Sequence, residues 1–312
     1  MKEPHFTIIG AAILDVLARP VDNSVFTAGS VSADSVLLHT GGDAMNEARV
    51  LASLGAPVRL VSKLGTDMAG DLVLSVCRDL KIDTSLVRRT KDVPTGTNIV
   101  LVDPAGERSF ITNPESTLRK FGPEDIPDQA FSEGGILCFA SIFVAPPLGN
   151  RELVSLFSRA RNKGMTVCAD MTKCKHGETV QDMKECLSYL DYVFPNYEEA
   201  ALLTQEQTPD RIADALLSCG IGHVILKAGS KGCYVCTGKE RFWSPACTGI
   251  PCLDTTGAGD TFTGCFLFAL GHGYSLADCA RFANAGASIC IEQTGAAGAG
   301  TDLEKIRKRA GF

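Results

Sequence analysis

Apolar residues recur along this chain in two rhythms, one with a period of two and one near 3.6, and their order predicts the architecture. Phe6 to Leu14 is a nearly unbroken apolar run that stops at Asp15, the pattern of a buried strand. Val21 to Leu38 holds two short β-like runs broken at Ala28-Gly29-Ser30, which reads as a hairpin. Thr40-Gly41-Gly42-Asp43 then opens a helix whose packed stripe is Ala44, Ala48, Leu51 and Ala52, with Gly55 placed to end it. Further β-like runs occupy Val58 to Lys63, Thr95 to Val102 and Glu107 to Thr112, the last two joined by the turn Pro104-Ala105-Gly106.

From residue 136 the pattern becomes strand, helix, strand: Ile136 to Ala140, Arg151 to Asn162, Thr166 to Asp170, Met183 to Leu190, Tyr192 to Phe194 and Glu198 to Leu203. The series continues with Val224 to Lys227, a β stretch from Gly232 to Trp243, and helices at Ala258 to Leu270, Leu276 to Glu292 and Leu303 to Arg309. Such alternation predicts an α/β fold with a parallel sheet covered on both faces, whose ligands sit beyond the carboxyl ends of the strands. The early hairpins, roughly 12–38 and 94–114, fall outside this rhythm and predict a separate small sheet.

Composition narrows the class. A chain of 312 residues has room for one large α/β unit with an appendage. Its 45% hydrophobic and 21% charged residues exclude disorder and collagen-like structure. A net charge of -6 argues against a nucleic-acid partner. No apolar run approaches the ~18 residues of a membrane span, and Met1 to Leu14 lacks signal-peptide character, so a cytoplasmic protein with no membrane partner is expected. The 13 cysteines are odd in number and scattered, which reads as reduced core thiols; Cys233-Tyr-Val-Cys236 sits in a strand pattern and reads as structural.

Two segments carry candidate chemistry. In Asp254-Thr-Thr-Gly-Ala-Gly-Asp260-Thr-Phe262, Gly257 and Gly259 flank a helix start, where unpaired N-H groups form a cradle for an anion such as phosphate. Asp260 falls in the first turn, placed to accept a proton from a hydroxyl attacking a phosphoryl group. The same residues would also serve as plain helix caps. In Gly41-Gly42-Asp43-Ala-Met-Asn46, Asp43 and Asn46 share a helix face suited to sugar-type hydroxyls; the plain alternative is a capped helix after a glycine turn. No G-x-x-x-x-G-K-[ST] is present and no G-x-G-x-x-G follows the first strand, which disfavours the common nucleotide loops.

With these segments in order, the chain resembles the ribokinase-like (PfkB-type) carbohydrate kinase family over nearly its whole length. The likeness is carried by Gly41 to Gly55, Lys63-Leu-Gly-Thr-Asp67, Gly70-Asp71, Pro195-Asn196-Tyr-Glu-Glu199, Lys227-Ala-Gly229-Ser-Lys-Gly232 and Asp254 to Phe262. The resemblance implies a Rossmann-type sandwich with a central, mostly parallel sheet, residues 1–11, 39–93 and 115–312 forming the core and 12–38 with 94–114 a β lid. It implies an ATP-dependent kinase acting on a hydroxymethyl group of a small sugar, with a nucleoside kinase or a non-catalytic sugar-binding regulator as alternatives. Asp260 would be the base, and Gly257, Ala258 and Gly259 the anion hole. Asp15, Gly41, Gly42, Asp43, Asn46 and Arg108 would hold the substrate, and Asn196, Lys227, Gly229, Gly232 and Asn284 the nucleotide. Glu199 would hold Mg²⁺ through water, while Asp254, Thr256 and the region near Gly295 match a monovalent cation (K⁺) site; relatives pair as homodimers through the lid. The family's ribokinases carry lysine where Asp43 stands and a glutamate within Phe139 to Phe143; neither is present here, so ribose is not the expected substrate. The run Gly106-Glu-Arg-Ser-Phe110 is similar to the fructokinase and general sugar-kinase branches.

Overall fold

The computed structural model describes residues 4–293 and 302–312. In chain order the elements are β1 (Phe6–Gly10), β2 (Ile13–Arg19), β3 (Ser35–Gly41), α1 (Asp43–Ser53), β4 (Val58–Val61), β5 (Lys63–Gly65), α2 (Met68–Asp79), β6 (Arg88–Thr90), β7 (Thr97–Val102), β8 (Arg108–Thr112), β9 (Ile136–Ile142), α3 (Asn150–Asn162), β10 (Thr166–Met171), α4 (Val180–Leu187), β11 (Tyr192–Val193), α5 (Tyr197–Thr204), α6 (Pro209–Leu217), β12 (His223–Lys227), β13 (Cys233–Thr237), β14 (Arg241–Ser244), α7 (Ala258–Gly271), α8 (Leu276–Cys290) and α9 (Leu303–Ala310).

The large sheet has eight strands in the order β14-β13-β12-β11-β10-β9-β1-β4. It is parallel from β4 through to β12, and β13 and β14 add an antiparallel edge. Successive strand residues enter opposite layers: Ile8 packs in the core with Leu51, Phe266 and Phe282, whereas Ile9 packs with Leu137, Phe157 and Val167. That two-sided burial is why β1 reads as a continuous apolar run. Helix α7 is buried along most of its length and lies between α1 and α8. Gly264 permits the approach to α1, since a Cβ there would meet the Val50 side chain at 2.8 Å. This close crossing brings the N-terminal turns of α1 and α7 together.

The small sheet has the order β3-β2-β7-β8. Its pairing rows, such as Leu37–Leu17–Val100–Phe110 and Leu38–Val16–Ile99–Ile111, alternate between its two faces. One face buries Leu17 and Val100 at 6% and 4% exposure, while the other leaves Val36, Leu38 and Ile111 at 65%, 59% and 52%.

Some local readings change. The first half of the expected 21–38 hairpin is a 3-10 turn at Asn23–Phe26, because Asp22 accepts from Ser24 N at 2.8 Å and closes a polar turn. Strand β3 runs on to Gly41, so His39 to Gly41 belong to the small sheet. The run Val58 to Lys63 divides between β4 and β5, the latter pairing with β6. Helices α2 and α6, absent from the sequence reading, begin at side-chain caps, Asp67 onto Gly70 N and Thr208 onto Arg211 N. The cysteines of the described residues are free thiols, with Cys233 and Cys236 buried in β13. No helix among the described residues is long and apolar enough to cross a membrane.

Candidate active site

At the N-terminus of α7, Gly257 adopts φ 72°, which an L side chain rarely tolerates, and turns the chain so that Ala258 begins the helix. Asp260 lies in this first turn, and Asn46 Nδ2 donates to its Oδ2 at 2.7 Å. The two motifs that stood apart in sequence therefore meet through a single hydrogen bond.

Around that bond the structure gathers a set of carboxyl groups. Asp43 accepts from the Ser141 hydroxyl of β9. Asp170, at the carboxyl end of β10, accepts from Lys227 Nζ at 2.6 Å, Thr263 Oγ1 at 2.8 Å and Met171 N at 2.8 Å. Glu47 is fully buried, and neither of its carboxyl oxygens has a hydrogen-bond partner. Burial first, then the charges of Asp170 and Asp260, push Glu47 well above the usual carboxyl range, so it is held as the neutral acid. Asp43 is also pushed up, chiefly by burial. Asp260 rises to about 8, from burial and then from the neighbouring Asp43 charge, against the lowering effect of Asn46. Burial alone would lower Lys227, but Asp170 and Glu199 outweigh it and hold the ammonium charged.

Asp15 stands on the small sheet opposite both His39 and Asn98, and Asn98 Nδ2 donates to its Oδ1 at 2.9 Å. Burial raises its pKa against that hydrogen bond and the charges of His39 and Arg108. Gly41 leaves room for the Asp15 carboxylate, since a Cβ there would lie 2.0 Å from its Oδ2. A Cβ on Gly42, at φ 92°, would fall 2.5 Å from Ala11 O. Arg108, expected to hold the substrate, forms an ion pair with Asp254, so its charge is already matched.

The expected nucleotide and metal residues divide. Asn196 caps α5: its Oδ1 accepts from Glu199 N at 2.9 Å, and Glu199 Oε2 accepts from Asn196 N at 2.8 Å. A bridge between Asn196 and Lys227 brings this turn beside β12, and burial lifts Glu199 to about 7. Gly229 has open space around it, whereas Gly232 is required by packing, because its Cβ would fall 2.1 Å from Ser244 O. Asn284 donates to Ser244 O at 3.0 Å and Ser244 Oγ at 3.1 Å, tying α8 to β14, so its amide N-H groups act as a core tie. Asp254 Oδ1 takes Thr256 N, Thr256 Oγ1 and Arg108 together, a set that does not fit a resident monovalent cation on that oxygen. Gly295 lies outside the described residues.

Sequence reasoning passed over Asp170, Ser141, Asn98 and Glu47. Asp170 closes a strand at its ligand-facing end, and Glu47 is a carboxyl on an otherwise apolar helix face; both were available signals.

A ribokinase of Arabidopsis thaliana is 27% identical over 320 residues, covering 99% of this chain and 82% of that protein. A 2-dehydro-3-deoxygluconokinase of Bacillus subtilis is 28% identical over 286 residues, covering 87% and 83%. The structure of Arabidopsis thaliana ribokinase complexed with ribose and ATP matches with a TM-score of 0.83 at 26% identity, covering 99% of each chain. The profile of the pfkB family carbohydrate kinases matches residues 4–302, and with the cradle, the paired helix starts and the two sheets in place, the chain belongs to that family.

Proposed function

We propose that this protein is an ATP-dependent kinase that phosphorylates a hydroxymethyl group of a small, neutral sugar. The observation that carries the reading is the Asn46–Asp260 hydrogen bond of 2.7 Å, which joins the hydroxyl-binding helix start to the anion-binding one. Asp15, Asp43 and Asn98 supply acceptors and an amide to sugar hydroxyls, with the small sheet acting as a lid over them. Asp260 takes the proton of the attacking hydroxyl, and the N-H groups of Gly257 and Gly259 receive the charge that develops on the transferred group, with Ala258 N, which donates to Thr255 O at 3.2 Å, holding the turn between them. Glu199, an oxygen donor beside Lys227, fits an Mg²⁺ held through water, and the metal would neutralise phosphate charge there. No step is assigned to a monovalent cation.

The sugar side of the cleft favours neutral sugars over sugar acids: Asp15, Asp43, Asn46 and Asn98 supply carboxyl and amide groups there, and Arg108 is paired with Asp254. Initial rates with ATP and Mg²⁺ on fructose, ribose, 2-keto-3-deoxy acids, inosine and adenosine test this. Turnover of a neutral sugar is expected. A keto-deoxy acid as best substrate would reject the neutral-sugar reading, preference for a nucleoside would move the protein to that branch, and no turnover of any would favour the binding-only alternative. The exposed apolar face bearing Val36, Leu38, Ile99 and Ile111 suits a second copy of the chain, giving a homodimer through the lid. Sedimentation of Leu38→Asp should then show a smaller species than the wild type, and equal sizes would remove this proposal.

A further inference from the structure

The proposed function leaves unexplained one buried cation. Lys227 is the last residue of β12, and Asp170 lies near the end of β10; between them β11 is only two residues long, so both side chains reach across its end. The Nζ–Oδ2 distance is 2.6 Å, with side-chain exposures of 13% and 4%. Asp170 is itself fixed by Met171 N and by Thr263 Oγ1, and Thr263 follows Asp260 by one turn of α7. The mount of the lysine is thus tied to the helix that carries the proposed base.

An ammonium has three N-H donors. Among the described residues, Asp170 is the sole hydrogen-bond acceptor of Lys227. The ammonium also lies 3.5 Å from where a Cβ on Gly259 would stand, at the mouth of the cradle. A buried ion pair adds little stability compared with apolar residues of the same shape, so stability alone does not account for this one.

We propose that Lys227 is a catalytic residue that grips the terminal phosphoryl group of the nucleoside triphosphate, with Asp170 as its positioning residue. The assignment rests on the kinase reading above. In the step, the sugar oxygen bonds to the terminal phosphorus as its proton passes to Asp260. The bond from that phosphorus to the bridging oxygen breaks, and its electron pair stays on the nucleoside diphosphate. Lys227 keeps its proton throughout and follows the negative charge of the transferred group. This places the lysine on the phosphoryl group and not on the adenosine.

The test compares wild type with Lys227→Met/Asp170→Asn, which removes both buried charges together so that neither is stranded, and with Asp170→Asn alone. Calorimetry with ADP and with the β,γ-imido analogue of ATP, both with Mg²⁺, is read beside kcat and the sugar KM. For the double variant, ADP affinity should change less than about twofold, while the triphosphate analogue weakens by about tenfold to a hundredfold, the scale of one charge-assisted hydrogen bond. Its kcat should fall by about a hundredfold or more with the sugar KM little changed. Asp170→Asn should narrow the preference for triphosphate over diphosphate in the same direction, a selectivity that a purely structural role would leave alone. Equal losses for ADP and the triphosphate analogue would overturn the assignment, as would unchanged triphosphate binding with unchanged turnover. A wild type that binds neither nucleotide would overturn the kinase reading itself.

Discussion

If Asp260 is the base, turnover must follow its ionisation, and the structure gives the pH at which that occurs. Burial and the Asp43 charge raise Asp260 to about 8, so only about a tenth of the free enzyme carries the carboxylate at pH 7 and about nine tenths at pH 9. With sugar and MgATP both well below their KM, the rate reports the free enzyme. Asp260 alone should raise it about tenfold between pH 7 and pH 9. The sign follows from the role: a base works deprotonated, so activity is gained as pH climbs through the raised pKa. Glu199, lifted to about 7, titrates in the lower part of the same range and should steepen the acid limb there. Lys227 is shifted upward and keeps its charge across the window. The same assay on Asp43→Asn removes a charge that raises Asp260, so the acid limb should move to lower pH even as sugar binding weakens. A rate that is flat or falling from pH 6 to pH 9 would refute Asp260 as a base of raised pKa. An unmoved limb in Asp43→Asn would refute the coupling.

Asp260→Asn preserves an acceptor for Asn46 and should keep the fold and ATP binding while cutting kcat by ~10² or more; near-normal turnover would remove the base assignment. Gly259→Val puts branched carbons beside Lys227 Nζ and into the cradle, so turnover should fall far more than sugar affinity, as rates and calorimetry would show. Asp43→Ala should weaken sugar binding by ~1.5 to 3 kcal/mol with ATP affinity little changed, and unaltered sugar affinity would place Asp43 outside the pocket.

What was legible in the sequence was what local physics writes there. Gly257 and Gly42 mark turns at positive φ before helix starts, and the short polar residues following them, Asp260, Asp43 and Asn46, follow from those turns. The large sheet was legible because strands buried on both faces carry unbroken apolar runs. Contacts between distant elements left no such trace: Lys227 and Asp170 are 57 residues apart, and Asp170 and Thr263 are 93 apart. Arg108 reads as a substrate-holding residue of the lid, and only the fold shows that it is paired with Asp254. Asn284 looks like any polar residue on a helix until Ser244 is seen to take its amide.

On the proposed function, the arrangement of charge lets one small volume serve both substrates. Asp43, Glu47, Asp170 and Asp260 would repel one another and a triphosphate if all were ionised. Glu47 withdraws from this by remaining protonated in its dry site, and Asp170 is neutralised by Lys227. Asp43 and Asp260 remain, and each raises the proton affinity of the cluster while accepting one side-chain donor, Ser141 or Asn46. A base of this kind is weakly ionised at rest yet strong when ionised, which matches it to a sugar hydroxyl that gives up its proton only as the phosphorus–oxygen bond forms. On the proposed reading, the positive end of α7 and the ammonium of Lys227 would face the phosphate, while the acceptors Asp43 and Asp15 would face the sugar hydroxyls. Polarity across the base therefore runs in the direction in which the proton and the phosphoryl group must move.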